Sequence, residues 1–110
     1  MATIFHITSA DAWKESQAKG SYRPAAFNDE GFIHCSMSSQ VIQVANLRFR
    51  GQTGLVLLSI DTARVHPKIL FENLEGGEQL FPHIYGELNI DAVVNVSQFV
   101  PGADGSFTLP

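Results

Sequence analysis

The sequence has little charge, a single cysteine and no long apolar run. Only 16% of its 110 residues are charged, and the net charge is −4. Proteins that follow nucleic-acid phosphates need clustered positive charge, so we do not expect a sequence-independent nucleic-acid binder. Because Cys35 is the only cysteine, no disulfide can form within the chain, which favours a reducing, cytoplasmic setting.

The local motifs that usually mark phosphate, dinucleotide and metal sites are also absent. Neither GxxxxGK[ST] nor GxGxxG occurs, and no HExxH or CxxC spacing is present. The first residues show no basic segment followed by a long apolar stretch, so no secretion signal is expected. No apolar run approaches the roughly 20 residues that cross a bilayer. We therefore expect a soluble cytoplasmic protein without a membrane partner.

Length and pattern predict one α+β domain over residues 1–110. A chain of this size is expected to form one domain with one hydrophobic core and not two. Two early helices are predicted, the first capped by Thr8 and the second started by Ser36 or Ser38. The rest of the chain is mostly strand, which argues against a repeated βαβ layout.

The clearest strand is predicted at residues 54–60, whose LVLLSI run indicates burial on both faces. Further strands are predicted at residues 3–8, 32–36, 68–72, 81–86 and 90–100. Residues 28–31 and 75–78 are predicted to form a turn and a flexible loop. Residues 101–110 are expected to be either a loose tail or a short terminal strand.

Three short segments each place a histidine two residues before a hydroxyl side chain. Residues i and i+2 of a strand share a face, so each segment presents an imidazole beside a hydroxyl. Such donor and acceptor pairs suit a sugar or a phosphate, and helix starts after the first two would attract anions. The segments are FHIT, GFIHCS and FPHIYG, with the pairs His6–Thr8, His34–Ser36 and His83–Tyr85.

Other interpretations of these residues stay open. Each pair is equally understood as a satisfied polar contact in the core, with Thr8 and Ser36 as helix caps. The three histidines together with Glu72 are also the ligand types of a metal-dependent hydrolase. Glu72 itself is either a cleft carboxylate or a solvated charge at a strand end. Arg48 and Arg50 either complement the helix C-terminus or reach a phosphate.

The segments IFHIT, EGFIHCS, FEN and FPHIYG, in this order within residues 4–96, resemble a bacterial family catalogued as domain of unknown function 952. That family is similar in fold to the ADP-ribosyltransferases, whose compact split β-core has early helices and holds NAD in a cleft. The resemblance implies that His6 and Thr8 contact the ribose and amide of NAD. It places His34 and Ser36 on the next core strand of the same cofactor-binding site.

The resemblance leaves the catalytic residue open. Many proteins of this fold carry a glutamate on a late strand, where this chain has His83 and Tyr85, with Glu72 preceding them. These three residues are therefore the catalytic candidates, and NAD or an ADP-ribose-like nucleotide is the expected ligand, with no covalently bound cofactor. The expected chemistry is ADP-ribosyl or phosphoryl transfer, or glycohydrolysis. A non-catalytic module for a nucleotide or small anion, the metal-dependent hydrolase and a structural subunit are the alternatives.

Overall fold

Antiparallel strands form the framework of the protein, which we describe from a computed structural model covering residues 2–74 and 77–110. The loop predicted at residues 75–78 lies partly outside the described residues. The described residues form the strands β1 (Thr3–Ser9), β2 (Ser21–Tyr22), β3 (Ile33–His34), β4 (Leu55–Asp61), β5 (Lys68–Glu72), β6 (Phe81–Tyr85), β7 (Leu88–Asn89) and β8 (Val93–Phe99). The helices are α1 (Ala10–Lys19), α2 (Phe27–Glu30) and α3 (Val41–Arg48).

The strands are divided between two three-stranded sheets and one short pair. The first sheet has the order β1-β4-β8, the second has the order β3-β6-β5, and β2 pairs with β7. A backbone bridge between Phe5 and Ser36 joins the end of the second sheet to β1. This α+β arrangement of mixed helices and antiparallel sheets confirms the predicted fold class at that level.

β4 separates two hydrophobic cores, so the single core expected from the chain length was wrong. Its unbroken apolar run did predict burial on both faces. Val56 and Leu58 face a core that also contains the only tryptophan, Trp13. Leu55 and Leu57 face a second core beneath α3. Because alternate residues of a strand point to opposite faces, one apolar run serves both cores.

The predicted helix starts were wrong. Thr8 is still within β1, and Ser9 caps α1 by accepting a hydrogen bond from the Ala12 N–H at 3.0 Å. Ser36 is held by its backbone bridge, and α3 begins only at Val41, so neither Ser36 nor Ser38 caps it. The first histidine pair is nevertheless followed directly by a helix start, because α1 begins at Ala10. The helix start expected directly behind the second pair is absent, because α3 begins only at Val41.

Three other segments differ from the sequence-based expectations. The turn predicted at residues 28–31 is the one-turn helix α2, so an early helix was missed. The last strand begins at Val93, because residues 90–92 form a 3₁₀ turn first. The C-terminal residues 101–110 are neither loose nor a strand, because Phe107 is buried and stacks on Phe99 with ring centroids 4.6 Å apart.

None of the helices in the described residues is long and apolar enough to cross a membrane.

Candidate functional site

Three cavities adjoin around His34, and we call them together the His34 cleft. The Gln43 cavity, about 240 Å³, is also lined by Arg48 and Phe81. The Glu72 cavity, about 230 Å³, is also lined by His83 and Phe81. The third, the His6 cavity of about 190 Å³, includes Ser36, Glu30 and Arg48 in its lining. His34 lines all three, so it occupies the centre of the cleft.

Two repeated Phe-x-His segments build the wall of this cleft. β3 and β6 run antiparallel with His34 opposite His83, so each phenylalanine falls beside the other segment's histidine. Phe32 stacks on His83 with centroids 4.0 Å apart, and Phe81 lies 5.3 Å from His34. The two imidazoles are themselves 5.3 Å apart. The direct pairing of His34 with His83 places both rings on one face of the sheet.

Glu72 is held at the wall of the cleft by two of the predicted catalytic residues. Nδ1 of His83 lies 3.0 Å from Oε1 of Glu72, and the Tyr85 hydroxyl donates a hydrogen bond to the same oxygen. These contacts, first that of Tyr85, lower the pKa of Glu72 below its usual value. The carboxylate therefore stays ionised near neutral pH, and it raises the pKa of Tyr85 in return.

The proton on His83 can be assigned from its partner. A carboxylate only accepts, so Nδ1 of His83 must be the donor in this pair. In the neutral ring Nε2 then carries a lone pair, and His83 lines the Glu72 cavity. The ring itself is only 3% exposed, so packing against Phe32 fixes its orientation. This is the arrangement of an oriented base beside a carboxylate.

His6 lines the third cavity of the cleft and is bonded at both ring nitrogens. Nδ1 lies 2.6 Å from the carbonyl oxygen of His34, and Nε2 lies 2.7 Å from the Tyr22 hydroxyl. Burial lowers the pKa of His6 to about 4, so its ring is neutral at physiological pH. The carbonyl only accepts, so Nδ1 donates to it and Nε2 accepts the Tyr22 proton.

This assignment also determines the direction of the hydrogen bond between Thr8 and Tyr22. The Tyr22 hydroxyl oxygen lies 2.9 Å from Oγ1 of Thr8. Since Tyr22 donates its proton to His6, the Thr8 hydroxyl must donate to Tyr22. Burial raises the pKa of Tyr22 to about 12, so the hydrogen-bonded series Thr8–Tyr22–His6 stays neutral. Thr8 is buried and does not line the three cavities of the cleft.

Charges are unevenly spread along the cleft. Arg48 lines the Gln43 and His6 cavities, and the amides of Gln43 and Gln79 lie beside it. At the other end, Glu30 and Glu72 line the same cavity. Arg48 shares each of its cavities with a carboxylate, Glu78 in the Gln43 cavity and Glu30 in the His6 cavity. The Arg48 end therefore offers a cation and amide groups beside an acidic group, and the Glu72 end offers two carboxylates to a positive or electron-poor group.

A metal site among the histidines finds no support in this geometry. Within residues 2–74 and 77–110, no three histidine, cysteine or acidic side chains are close enough to share an ion. Both nitrogens of His6 are already used by the protein itself. Cys35 is buried in the first core, and burial raises the pKa of its thiol, so it is not an activated nucleophile.

The structure brings five of the seven predicted site residues to the cleft. These are His6, His34, Ser36, Glu72 and His83, each of which lines at least one cavity. The other two are connected to the site by hydrogen bonds. Tyr85 donates one to Glu72, and Thr8 is linked to His6 through the Tyr22 hydroxyl.

Sequence reasoning missed two contributors to the site. Tyr22 lies 16 residues from His6 in the chain, and no local pattern could reveal its contact. Phe32 did have a signal, since the spacing of Phe32 to His34 is repeated by Phe81 and His83.

Comparisons with known proteins place the chain among relatives without an assigned activity. The sequence model described as "Protein of unknown function (DUF952)" matches residues 7–96. A crystal structure of protein CC0527 from Caulobacter crescentus is 32% identical with a TM-score of 0.88, covering 97% of this chain and 94% of that one. A solution NMR structure of CC0527 is 33% identical with a TM-score of 0.84, covering 96% and 91%. No curated protein matches the chain.

Proposed function

This chain belongs to the family of proteins of unknown function designated DUF952, and from the geometry of its cleft we propose that it binds NAD. We propose further that it cleaves the bond between nicotinamide and ribose. The observation that carries the proposal is the Glu72 carboxylate, held ionised at the cavity wall by His83 and Tyr85. Positive charge develops on the ribose when a glycosidic bond breaks, and a fixed carboxylate stabilises that charge.

The proposed step uses His83 as the base. The bond from C1′ to the pyridinium nitrogen breaks, and nicotinamide leaves as a neutral molecule with the electron pair. Water adds to C1′ and gives its proton to Nε2 of His83, whose Nδ1–H is held by Glu72. The products are ADP-ribose, nicotinamide and one proton. An acceptor hydroxyl in place of water would make the same step an ADP-ribosyl transfer.

The size and charge of the cleft favour an extended dinucleotide over a small anion. Each cavity is smaller than the roughly 300 Å³ at which pockets for drug-sized ligands begin, so such a ligand must extend over more than one. Arg48 and the amides of Gln43 and Gln79 are the groups that would meet the pyrophosphate, although Glu78 lines the same cavity. The Glu72 end suits the positively charged nicotinamide. An ADP-ribosyltransferase-like arrangement of the two sheets is part of the same proposal.

The roles of the remaining predicted residues follow from their positions. His34 and Ser36 line the cleft and are proposed to contact the ligand. His6 and Thr8 were expected to hold ribose, but their bonds run to the His34 carbonyl and to Tyr22. We therefore assign His6 to positioning β3, with Thr8 behind it.

Calorimetry with NAD and ADP-ribose, followed by an assay for released nicotinamide, tests the proposal. We expect both ligands to bind and nicotinamide to be released. Glu72→Gln should lower kcat by about a hundredfold or more, because it removes the charge that faces the developing cation. Glu15→Gln is the matched control, since Glu15 is exposed on α1 and away from the cleft.

The outcomes separate the alternatives. No heat with either nucleotide at millimolar concentration would end the NAD proposal. If the wild-type protein binds the nucleotides but releases no nicotinamide, it is a nucleotide-binding module and Glu72 has no catalytic role.

A further inference from the structure

The outer edge of β5 has a sequence that complements itself. β5 pairs with β6 on one side, and no strand among the described residues pairs with its other side. Such an edge presents a row of backbone N–H and C=O groups to a further strand. Its residues are Lys68, Ile69, Leu70, Phe71 and Glu72, a cation and an anion at opposite ends of an apolar centre.

We propose that β5 pairs with β5 of a second copy of this chain, antiparallel and centred on Leu70. In this register Lys68 lies opposite the partner's Glu72 at each end of the pairing. Ile69 lies opposite the partner's Phe71, and Leu70 lies opposite the partner's Leu70. Opposite charges and aromatic–β-branched pairs directly across an antiparallel ladder are favourable, so all five pairs stabilise the same register.

The exposure of Phe71 fits this arrangement. It is 47% exposed, although it lies within a strand. It belongs to neither hydrophobic core. Pairing with a second copy would cover it with the partner's Ile69 and would extend the sheet β3-β6-β5 from three strands to a continuous six. The two-fold symmetry closes the assembly at a dimer.

The edge strand β8 lacks these features. β8 has seven residues, and Val94 and Val96 on it are exposed. It contains no charged residue, so no ion pair fixes either a register or a direction for a partner strand. Charge complementarity therefore favours β5 over β8 as the site of self-association.

The dimer has a consequence for the cleft. Glu72 uses Oε1 for His83 and Tyr85, and the cross-strand position brings the partner's Lys68 beside the same carboxylate. A cation there would hold Glu72 ionised more firmly. The dimer proposal itself does not depend on which ligand the cleft binds.

Sedimentation velocity at about 10 and about 100 µM measures the association directly. We expect a dimer for the wild-type protein. Lys68→Glu places like charges across both ends and should weaken the dimer by about tenfold or more. The swap Lys68→Glu with Glu72→Lys restores the opposite charges and should recover the dimer. Lys14→Glu makes the same change of charge on exposed α1 and should have no effect.

Two results would overturn the proposal. The first is a wild-type protein that is monomeric at the higher concentration. The second is a dimer that survives Lys68→Glu but is lost in Val96→Lys, which would put the contact on β8. Far-ultraviolet circular dichroism confirms that each variant folds. Calorimetry with NAD on wild-type samples reports ligand binding separately, so failure of one proposal is distinguishable from failure of the other.

Discussion

Three histidines with the same sequence context have three different environments. His83 is fixed between Phe32 and Glu72, and His34 stands at the centre of the cleft. His6 joins two sheets through the His34 carbonyl. The i, i+2 pattern identified the residues and their shared face, but it could not distinguish these roles. The distinction depends on residues distant in sequence, above all Tyr22, which satisfies the second nitrogen of His6.

The partly buried His6 predicts a loss of stability on acidification. Its pKa is lowered to about 4 in the folded protein, against 6.5 for an ordinary histidine. Between these pH values the unfolded chain binds a proton at this position and the folded chain does not. The free energy of unfolding should therefore decrease as the pH falls from about 6.5 to about 4, by up to roughly 3 kcal/mol.

Urea unfolding across this pH range measures the effect. His6→Asn keeps an N–H that can donate to the His34 carbonyl but removes the titrating ring, so its pH dependence should be shallower. His66→Asn, at an exposed position, is the matched control and should keep the wild-type dependence. Equal slopes for wild type and His6→Asn would show that His6 does not control this transition.

Strands were predicted more accurately from the sequence than helix starts. The apolar run of β4 was recognised because a strand buried on both faces is apolar throughout. The segments of β5 and β6 were also recognised. The helix starts failed because a serine or threonine that can cap a helix can equally remain in a strand. In this chain the strand pairing of Thr8 and the backbone bridge of Ser36 decided the outcome.

The structure of the C-terminal segment, residues 101–110, likewise could not be predicted from its local sequence. Its composition of Gly, Pro and small polar residues predicts little structure, yet Phe107 is 2% exposed. Its backbone N–H donates to Oδ1 of Asn46 on α3 at 2.7 Å, and its ring stacks on Phe99. One aromatic residue thus anchors a segment without regular structure. No local pattern shows that its partners are 61 residues and 8 residues away.

Phe107→Ala is expected to destabilise the protein by roughly 3–5 kcal/mol, because it leaves a cavity in the second core. Chemical denaturation at neutral pH measures the change. Leu109→Ala lies two residues further along at a side chain that is 52% exposed, and it should change stability by less than about 0.5 kcal/mol. Similar losses in the two variants would contradict the anchoring role of Phe107.

At the scale of the whole molecule, β4 joins the two hydrophobic cores into one cooperative unit. Each core receives alternate side chains of this strand, so disruption of one core displaces the other's residues as well. The sequence predicted burial on both faces, and therefore this central position. It could not predict which sheet would carry the histidines, because the pairing of β3 with β6 joins segments almost 50 residues apart.

Leu57→Ala tests this coupling. Leu57 lies in the second core, whereas Trp13, the only tryptophan, lies in the first. We expect a loss of about 2–5 kcal/mol, with the Trp13 fluorescence transition shifted as far as the far-ultraviolet circular dichroism transition. Leu58→Ala, in the core of Trp13, is the matched variant. If Leu57→Ala left the fluorescence midpoint unchanged, the two cores would unfold independently.

The hydrogen bond from His6 to the His34 carbonyl also has a consequence for binding kinetics. It joins the wall of the cleft to β1, so the wall is in place before any ligand arrives. A ligand that meets a preformed wall associates in one step, and its observed rate rises linearly with concentration. Differences in affinity among ligands should then come mainly from differences in their dissociation rates. Removing the His6 ring would free β3 to rearrange, and the observed rate would level off at high ligand concentration.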